Sequence, residues 1–264
     1  MSDAAAKLNP IPSATLLLLR DGPQGLEVFM VKRHHQIDFA SGALVFPGGK
    51  LAKGDAVPEL RAHCDGEAEL SDGDLALRAC AIREGFEESG ILLARPAGCP
   101  VLGGNETSSR LQDWRPKLDK GEAGLTEFAT ASGIRFACDV LVPFARWITP
   151  AFMPKRFDTH FYLAAAPYGQ LGSHDGREGV DSVWTTPERA IAEKDRWTVI
   201  FPTRMNLLKL AQSKTVAAAI AAAQSNPVVL VEPKVVQKDG KQVLTLPPDA
   251  GYGTVEEPLD SIRP

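Results

Sequence analysis

The stretch REGFEESG, residues 83–90, constrains the fold more than any other part of the chain. An α-helix turns about 100° per residue, so Glu87 and Glu88 lie roughly 60° to one side and 40° to the other side of Glu84. The three carboxylates therefore share one helix face. Carboxylates this close repel one another, so the face is either solvated or neutralised by a cation. Mg²⁺ and similar hard cations take oxygen ligands and share them with substrate phosphates.

The helix that carries this face is predicted over about residues 73–89. Ser71 or Asp72 is a suitable N-cap, and Gly90 is suited to end the helix. The side opposite the glutamates is apolar, which predicts burial against the rest of the protein. The residues of that side are Leu75, Ala79, Ile82 and Phe86.

The segments that flank this helix favour short strands. Residues 13–20 and 26–33 are β-type runs joined by Asp-Gly-Pro, which predicts a hairpin. An apolar run at residues 43–46 ends in Pro-Gly-Gly, residues 47–49, where glycine backbone allows a ligand or a neighbour to approach closely. Residues 91–94 form a further strand candidate directly after the helix.

The second half of the chain continues this mixed pattern. Strands are predicted at residues 140–149, 156–166 and 181–184. Thr186-Pro187-Glu188 opens a helix, with proline near its first turn. Residues 203–224 predict one long helix whose second half is rich in alanine.

Three further segments have weaker patterns. Residues 107–132 carry two weak helical patterns, and residues 228–247 predict a hairpin around Lys238-Asp239-Gly240. Residues 1–12 and the chain after Pro248 are expected to be loose ends.

Composition limits the class of protein. The chain has 264 residues, of which 44% are hydrophobic, enough to bury a core. The net charge of −4 gives no reason to expect binding to nucleic acid or to an anionic membrane. No apolar run reaches the ~18 residues that span a bilayer, and the first residues lack a signal-peptide pattern. The four cysteines form no CxxC pair, which favours neither zinc nor a disulfide framework, and a cytoplasmic location is expected.

The order of these features resembles the box that defines the Nudix hydrolases. That box reads Gly, five residues, Glu, seven residues, then Arg-Glu, an aliphatic residue, any residue, Glu-Glu, any residue, Gly and an aliphatic residue. Its second half matches residues 83–91, and Asp55 follows Gly49 at the spacing of the first half. Residues 56–82 replace the usual seven, so an insertion splits the box. Gly85 replaces the aliphatic residue, which is expected to weaken packing or helix stability by up to ~1 kcal/mol.

The resemblance implies an α/β fold, namely the Nudix α/β/α sandwich with a mixed sheet, plus a helical insertion and a C-terminal helix. One domain is expected over residues 1–264. Within it we expect an insertion in the box at residues 56–72, a helical insertion at 105–135 and a C-terminal extension at 226–264.

The resemblance also implies a metal site. Glu84, Glu87 and Glu88 would bind Mg²⁺ or Mn²⁺, with the Gly48 carbonyl as a further ligand. Arg83 would orient one glutamate through a charge-assisted hydrogen bond. Such ions neutralise the phosphate oxygens of a diphosphate and lower the pKa of a bound water.

A carboxylate must then accept the proton of the attacking water. Glu84 is the preferred base. A base on a distant loop is an alternative, and Glu178 or Asp181 could supply it.

The segment before the glycine pair bears on the substrate. Coenzyme A-cleaving Nudix enzymes carry an upstream motif that Arg33, Gly42 and residues 46–49 match here. His34 and Asp38 depart from that motif, where a small residue and a second arginine are expected.

A second resemblance, to the peroxisomal acyl-coenzyme A diphosphatases and their bacterial relatives, extends to about residue 210. It rests on the split box and on residues 145–150 and 154–159. Basic groups and close backbone suit an anionic substrate. The expected substrate-binding residues are Arg33, Gly49, Arg146, Lys155 and Arg156. The chain ends without Ser-Lys-Leu, which argues against the peroxisome.

Three hypotheses remain open from the sequence. The first is a hydrolase of coenzyme A or acyl-coenzyme A that yields 3′,5′-ADP and (acyl-)phosphopantetheine. The second is a diphosphatase acting on ADP-ribose, nucleotide sugars or dinucleotides, and the third is a non-catalytic nucleotide-sensing module. The expected partner is a small-molecule nucleotide, with neither nucleic acid nor membrane, and assembly as a homodimer is left open.

Overall fold

The computed structural model describes residues 9–33, 42–176 and 179–259. Its strands are β1 (Ile11–Gly22), β2 (Gly25–Arg33), β3 (Leu44–Val45), β4 (Gly48–Lys50), β5 (Ala94–Pro96), β6 (Ile134–Phe136), β7 (Val142–Ile148), β8 (Phe157–Ala165), β9 (Gly179–Thr185), β10 (Leu230–Val231), β11 (Lys234–Lys238), β12 (Lys241–Thr245) and β13 (Glu256–Pro258). Its α-helices are α1 (Asp72–Ser89), α2 (Asn105–Arg110), α3 (Arg115–Asp119), α4 (Leu125–Ser132), α5 (Pro187–Ala192), α6 (Phe201–Leu210) and α7 (Val216–Ser225).

A mixed sheet of eight strands forms the middle layer. Its main path runs β10-β7-β8-β1-β2-β3, with β4 paired to β1 and β9 paired to β2. The predicted hairpin is present as β1 and β2, and β1 also lies parallel to β8. The central strand β1 carries the run Leu16–Leu19 in its middle, all of it fully buried, because both faces of the sheet are covered.

Helices cover the two faces of this sheet, which gives the expected three layers. Successive residues of a strand point to opposite faces. Leu16 therefore packs with α1 and with the helical segment that contains Phe128. Leu17 packs on the other face with α6 and α7. The α/β sandwich predicted for the chain is the architecture observed.

Helix α1 begins and ends as the sequence predicts. The Ser71 side chain accepts a hydrogen bond from the Asp74 amide, and Gly90 follows the helix with φ +69°. The predicted apolar side is buried, and Phe86 stacks on Phe128 of α4 at 5.5 Å between ring centroids.

Gly85 is not a packing defect, contrary to the expectation from the box. Its face of α1 lies against β1, and a Cβ at this position would be 2.6 Å from Leu16 Cδ2. The glycine therefore permits a close approach between the helix and the central strand. The helix buries two faces, one against the sheet and one against the segment that contains α4.

Two predicted elements are wrong. Residues 203–224 form two helices instead of one, because Thr215 has extended backbone (φ −137°, ψ 161°) and its side chain caps the start of α7. Residues 91–93 are not a strand, and only Ala94 belongs to β5. The backbone of Leu92 bonds to the Gln170 side chain, whose Oε1 accepts at 2.8 Å and whose Nε2 donates at 3.1 Å.

The helices expected at residues 105–135 are present as α2, α3 and α4. The predicted C-terminal hairpin is β11 and β12, with Asp239 and Gly240 at its turn. The chain after Pro248 is not loose as far as residue 259, because β13 pairs with β12. Tyr252 also docks there: its hydroxyl accepts from Trp147 Nε1 at 2.9 Å and donates to Asn206 Oδ1 at 2.8 Å. At the other end, residues 11 and 12 belong to β1, contrary to the expectation of a loose arm over residues 1–12, and residues 1–8 lie outside the described residues.

Among the described residues, no helix is both long and apolar enough to cross a bilayer.

Candidate active site

The glutamate-bearing half of α1 lies over the glycine pair of β4. The Gly48 amide donates to Glu88 Oε2 at 3.2 Å. A Cβ at Gly49 would lie 2.5 Å from Glu84 Cδ, so only glycine leaves room for this carboxylate. The structure thus brings together residues that are about 35 to 40 positions apart in sequence. The predicted ligands Gly48, Glu84 and Glu88 lie where α1 crosses the glycine pair.

The acidic face is not a solvated surface. Glu87 and Glu88 retain only 7% and 8% of their exposed area. Glu87 Oε1 is buried without a hydrogen-bond partner. Burial raises the pKa of Glu87 to about 8, against the opposing effect of Arg83 and with a further contribution from Glu84. Buried carboxylates with an unsatisfied oxygen fit a hard divalent cation by their donor chemistry.

Arg83 lies at the centre of this acidic group. Its Nη1 contacts Glu84 Oε1 at 2.8 Å and Glu87 Oε2 at 3.0 Å. Arg83 therefore contacts two of the three glutamates of α1. The burial of Arg83 opposes its charge, but hydrogen bonds to Asp55 and the neighbouring carboxylates raise its pKa far above the ordinary value.

Asp55 is the partner that fixes Arg83. Its two carboxylate oxygens accept from Arg83 Nε at 2.8 Å and Nη2 at 2.9 Å, a bidentate contact. Asp55 is 2% exposed, and it also accepts from the Ala52 amide. The spacing after Gly49 had pointed to Asp55, but the insertion hid its connection to the helix. Its observed role is to hold Arg83 in place.

In this arrangement the carboxylates of Glu84 and Glu87 are turned toward Arg83. Across residues 9–33, 42–176 and 179–259, no group of three or more His, Cys, Asp or Glu side chains is arranged so that it could hold a metal ion. One guanidinium, that of Arg83, engages the carboxylates of Glu84 and Glu87. The residues present fit the cation by type and burial.

Arg33 lies at the same end of the sheet as the glycine pair. It is the last residue of β2, its amide donates to the Ala43 carbonyl, and it pairs with Gly179 at the start of β9. The candidate base Glu178, like His34 and Asp38, lies outside the described residues. Asp181 is on β9, where its Oδ1 accepts from the Ser182 amide.

The other expected basic residues are engaged away from the glutamates. Arg146 is joined to Gly49 through a row of paired residues, Gly49–Ala14–His160–Arg146. Three strand spacings correspond to roughly 14 Å. Arg146 forms a bidentate pair with Asp158 at 2.9 and 2.7 Å, which lowers the pKa of that carboxyl.

Lys155 and Arg156 directly precede β8 in the chain. Arg156 is buried, and it donates to the Thr149 carbonyl at 2.9 Å and to Glu232 at 2.7 Å. Lys155 is exposed, with its ammonium 5.4 Å from the centre of the Phe157 ring. These contacts are with Thr149, Glu232 and Phe157, none of which belongs to α1.

Comparison with known proteins agrees with the geometry around α1. Residues 60–205, which include all of α1, match the family described as the NUDT19 Nudix domain. The chain belongs to the Nudix family. The match starts after Gly49, so the Nudix assignment does not depend on the upstream segment that bears on the substrate.

A solved Nudix hydrolase from Alicyclobacillus acidocaldarius shares the fold, with a TM-score of 0.65 and 26% identity, over 81% of this chain and 96% of that chain. Among curated relatives, the acyl-coenzyme A diphosphatase NUDT19 of Xenopus laevis is 25% identical over 206 residues, which is 63% of this chain and 54% of that protein. Putative nudix hydrolase 7 of Caenorhabditis elegans is 33% identical over 136 residues, 52% of this chain and 38% of that protein. This Nudix chain therefore spans about half the length of these curated relatives, or less.

Proposed function

We propose that this protein is a Nudix hydrolase that cleaves a phosphoanhydride bond with the help of Mg²⁺ or Mn²⁺, and that its substrate is coenzyme A or an acyl-coenzyme A. The observation that carries the proposal is the burial of Glu87 and Glu88 beside the glycine pair of β4. Burying charged carboxylates costs several kcal/mol unless a cation or hydrogen bonds compensate. Such a cost is expected at a site that binds a cation and not on an ordinary surface helix.

Each residue of the site has a specific role in this proposal. Glu84, Glu87 and Glu88 would hold the cation, with the Gly48 carbonyl as a further ligand. When bound, a divalent cation supplies charge neutralisation for the phosphate oxygens and makes water more acidic. Asp55 holds Arg83, and Arg83 orients Glu84 and Glu87.

The reaction adds water across the diphosphate. A water oxygen forms a bond to one phosphorus, and the bridging P–O bond breaks. Coenzyme A would then give 3′,5′-ADP and phosphopantetheine. Glu84 is the proposed acceptor of the water proton, and Glu178, which precedes β9 in the sequence, is the alternative.

The coenzyme A assignment is supported by the named activity of the NUDT19 relatives and by the position of Arg33. Arg33 ends β2 at the same end of the sheet as Gly48, so its guanidinium is the proposed contact for the 3′-phosphate, a group that ADP-ribose lacks. Location in the cytoplasm, an expectation from composition, stays a proposal.

Metal dependence is tested by removing the cation. Hydrolysis of coenzyme A, followed by chromatography of the products, should require added Mg²⁺ or Mn²⁺ and should stop in excess EDTA. Full activity in excess EDTA would contradict the metal site.

The substrate is tested with coenzyme A and 3′-dephospho-coenzyme A. A charge-assisted contact to one phosphate contributes about 1.5–3 kcal/mol, so coenzyme A should have a kcat/KM roughly tenfold to a hundredfold higher. Arg33→Ala should remove most of that difference. Lys32→Ala is the matched control, because Lys32 is a neighbouring cation whose side chain points to the opposite face of β2. Equal rates for the two substrates in the wild type would favour ADP-ribose, nucleotide sugars or dinucleotides instead.

A further inference from the structure

The last turn of α1 has an unfavourable distribution of charge. It carries Glu87 and Glu88 and contains no basic residue. The free carbonyl groups at the C-terminus of a helix bear a partial negative charge, so carboxylates in this turn destabilise it and a cation would stabilise it. A cation from another part of the fold is therefore expected at this helix end.

Arg115, the first residue of α3, supplies that cation. Its Nε and Nη2 donate to the Glu87 carbonyl oxygen at 3.1 and 3.0 Å. The same Nη2 donates at 3.0 Å to the carbonyl of Ser173, in the loop between β8 and β9. Nη1 donates to Gln112 Oε1 at 3.1 Å, which keeps the plane of the guanidinium oriented.

Other hydrogen bonds join the same three segments. The Ser108 hydroxyl and Gln112 Nε2 donate to the Gly90 carbonyl at 2.6 and 3.1 Å. The Ser173 amide donates to the Ser89 carbonyl at 2.7 Å. The helical insertion therefore satisfies the carbonyl groups at the end of α1 and ties that end to the loop before β9.

We infer that Arg115 is a positioning residue for the metal ligands. It clamps the Glu87 carbonyl and the Ser173 loop together, so the glutamates of the last turn of α1 stay aligned with Gly48. This inference rests on the proposed function, because it assigns a role within the same site. It also means that the helical insertion, which contains Arg115, helps to position the metal ligands.

The matched control for Arg115 is Arg78, an arginine to which we assign only a structural role. Arg78 lies on the same helix, and its Nη1 donates to the carbonyl groups of Cys138 and Leu141. It thus also joins α1 to a neighbouring segment through backbone acceptors. Arg78 lies nine positions before Glu87, which corresponds to roughly 13 Å along the helix.

The experiment measures Mn²⁺ affinity by titration calorimetry in the wild type, Arg115→Met, Arg115→Lys and Arg78→Met. Amide hydrogen exchange at Ser173 and Gly90 is measured on the same samples. Arg115→Met should weaken Mn²⁺ binding roughly 10–100-fold, as loss of an outer partner of a metal ligand does. It should also speed exchange at Ser173 and lower kcat for coenzyme A more than it changes KM.

Arg115→Lys should have an intermediate effect, because one ammonium cannot form the forked contact to both carbonyl groups. It also serves as the test variant if Arg115→Met does not fold. Arg78→Met should lower the melting temperature but leave the Mn²⁺ dissociation constant within about twofold of the wild type.

Three results would overturn the inference: unchanged Mn²⁺ affinity in Arg115→Met, unchanged exchange at Ser173, or equal loss of affinity in Arg78→Met. A wild-type protein that binds no Mn²⁺ and cleaves no diphosphate would instead refute the proposed function. In that case exchange at Ser173 alone decides whether Arg115 clamps the helix to the loop.

Discussion

Glu87 and Glu88 are costly residues for the folded protein, because each is a carboxylate held away from water on α1. A residue that destabilises a fold and remains buried is a candidate for function. In this protein the cost is partly offset by Arg83, whose guanidinium contacts Glu84 and Glu87 and is itself fixed by Asp55. The three carboxylates and one arginine therefore act as a connected group, and changes to single members should not be additive.

Replacing Glu88 by glutamine should reduce turnover of coenzyme A roughly a hundredfold or more while the fold persists, because a ligand charge is lost without loss of volume. The measurement is kcat at saturating Mn²⁺, with circular dichroism to check folding. Glu127→Gln, on the exposed side of α4, is the control and should have wild-type activity. Wild-type turnover in Glu88→Gln would contradict the metal-site assignment.

Glu87 should make the metal-free protein sensitive to alkaline pH. Its pKa is raised by burial from 4.5 to about 8, so folding favours the protonated form. That contribution to stability is fully present below the unfolded pKa and is lost as pH rises through about 8. In excess EDTA, the melting temperature of the wild type should fall between pH 5 and pH 9 by more than that of Glu87→Gln. Parallel pH profiles for the two proteins would refute the explanation.

The position of helix α1 depends on its close packing against strand β1. The helix packs on β1 with Gly85 against Leu16, and its end is closed by the segment that contains α2 and α3. Helix α1 contacts β1 on one side and α4 on the other. Any small shift of α1 would therefore require the core around it to repack. The position of the three glutamates is therefore set by core contacts as well as by the residues of the site.

Gly85→Leu restores the aliphatic residue of the Nudix box and should destabilise this protein by about 1–3 kcal/mol, because the side chain overpacks against Leu16. Leu16→Ala should itself be destabilising by about 2–5 kcal/mol. The double mutant should be more stable than the sum of the two effects predicts, since the added side chain fills the space that is vacated. Urea unfolding of all four proteins measures this coupling, and strict additivity would contradict it.

The two faces of the central sheet are covered by different elements, and only one of them carries the candidate site. The face with α1 carries the candidate site, and the opposite face is covered by α6, α7 and the C-terminal segment. The C-terminal segment is attached through Tyr252, whose hydroxyl bonds to Trp147 and Asn206. We therefore expect that substitutions on the face opposite α1 change the stability of the protein without changing its catalytic activity.

Tyr252→Phe tests that separation. Loss of the hydroxyl leaves the Trp147 N–H and the buried Asn206 Oδ1 without this partner, which should lower the free energy of unfolding by about 1–3 kcal/mol. At a temperature well below the melting transition, kcat/KM for coenzyme A should be unchanged. A large fall in kcat/KM with normal stability would show that the C-terminal layer contributes to the site.

Much of the site could be predicted from local sequence alone. The caps at Ser71 and Gly90, the shared face of the glutamates and the glycine pair all follow from periodicity and from backbone freedom within short segments. The same local reasoning failed at residues 203–224, where apolar periodicity continues through a break made by the cap at Thr215. It also failed at residues 91–93, where a buried glutamine side chain replaces a neighbouring strand.

The sequence by itself determined the Nudix helix, because hydrogen bonds and side-chain spacing within a helix involve residues at most four apart. Only the tertiary structure decided which basic side chains from other segments contact that helix. Arg146 and Arg156 matched the expected chemistry but are engaged by Asp158 and Glu232, whereas Arg115 had no motif and meets the end of α1. The contacts that make this choice join segments 12 to 76 positions apart, and no periodicity in the sequence encodes such distances.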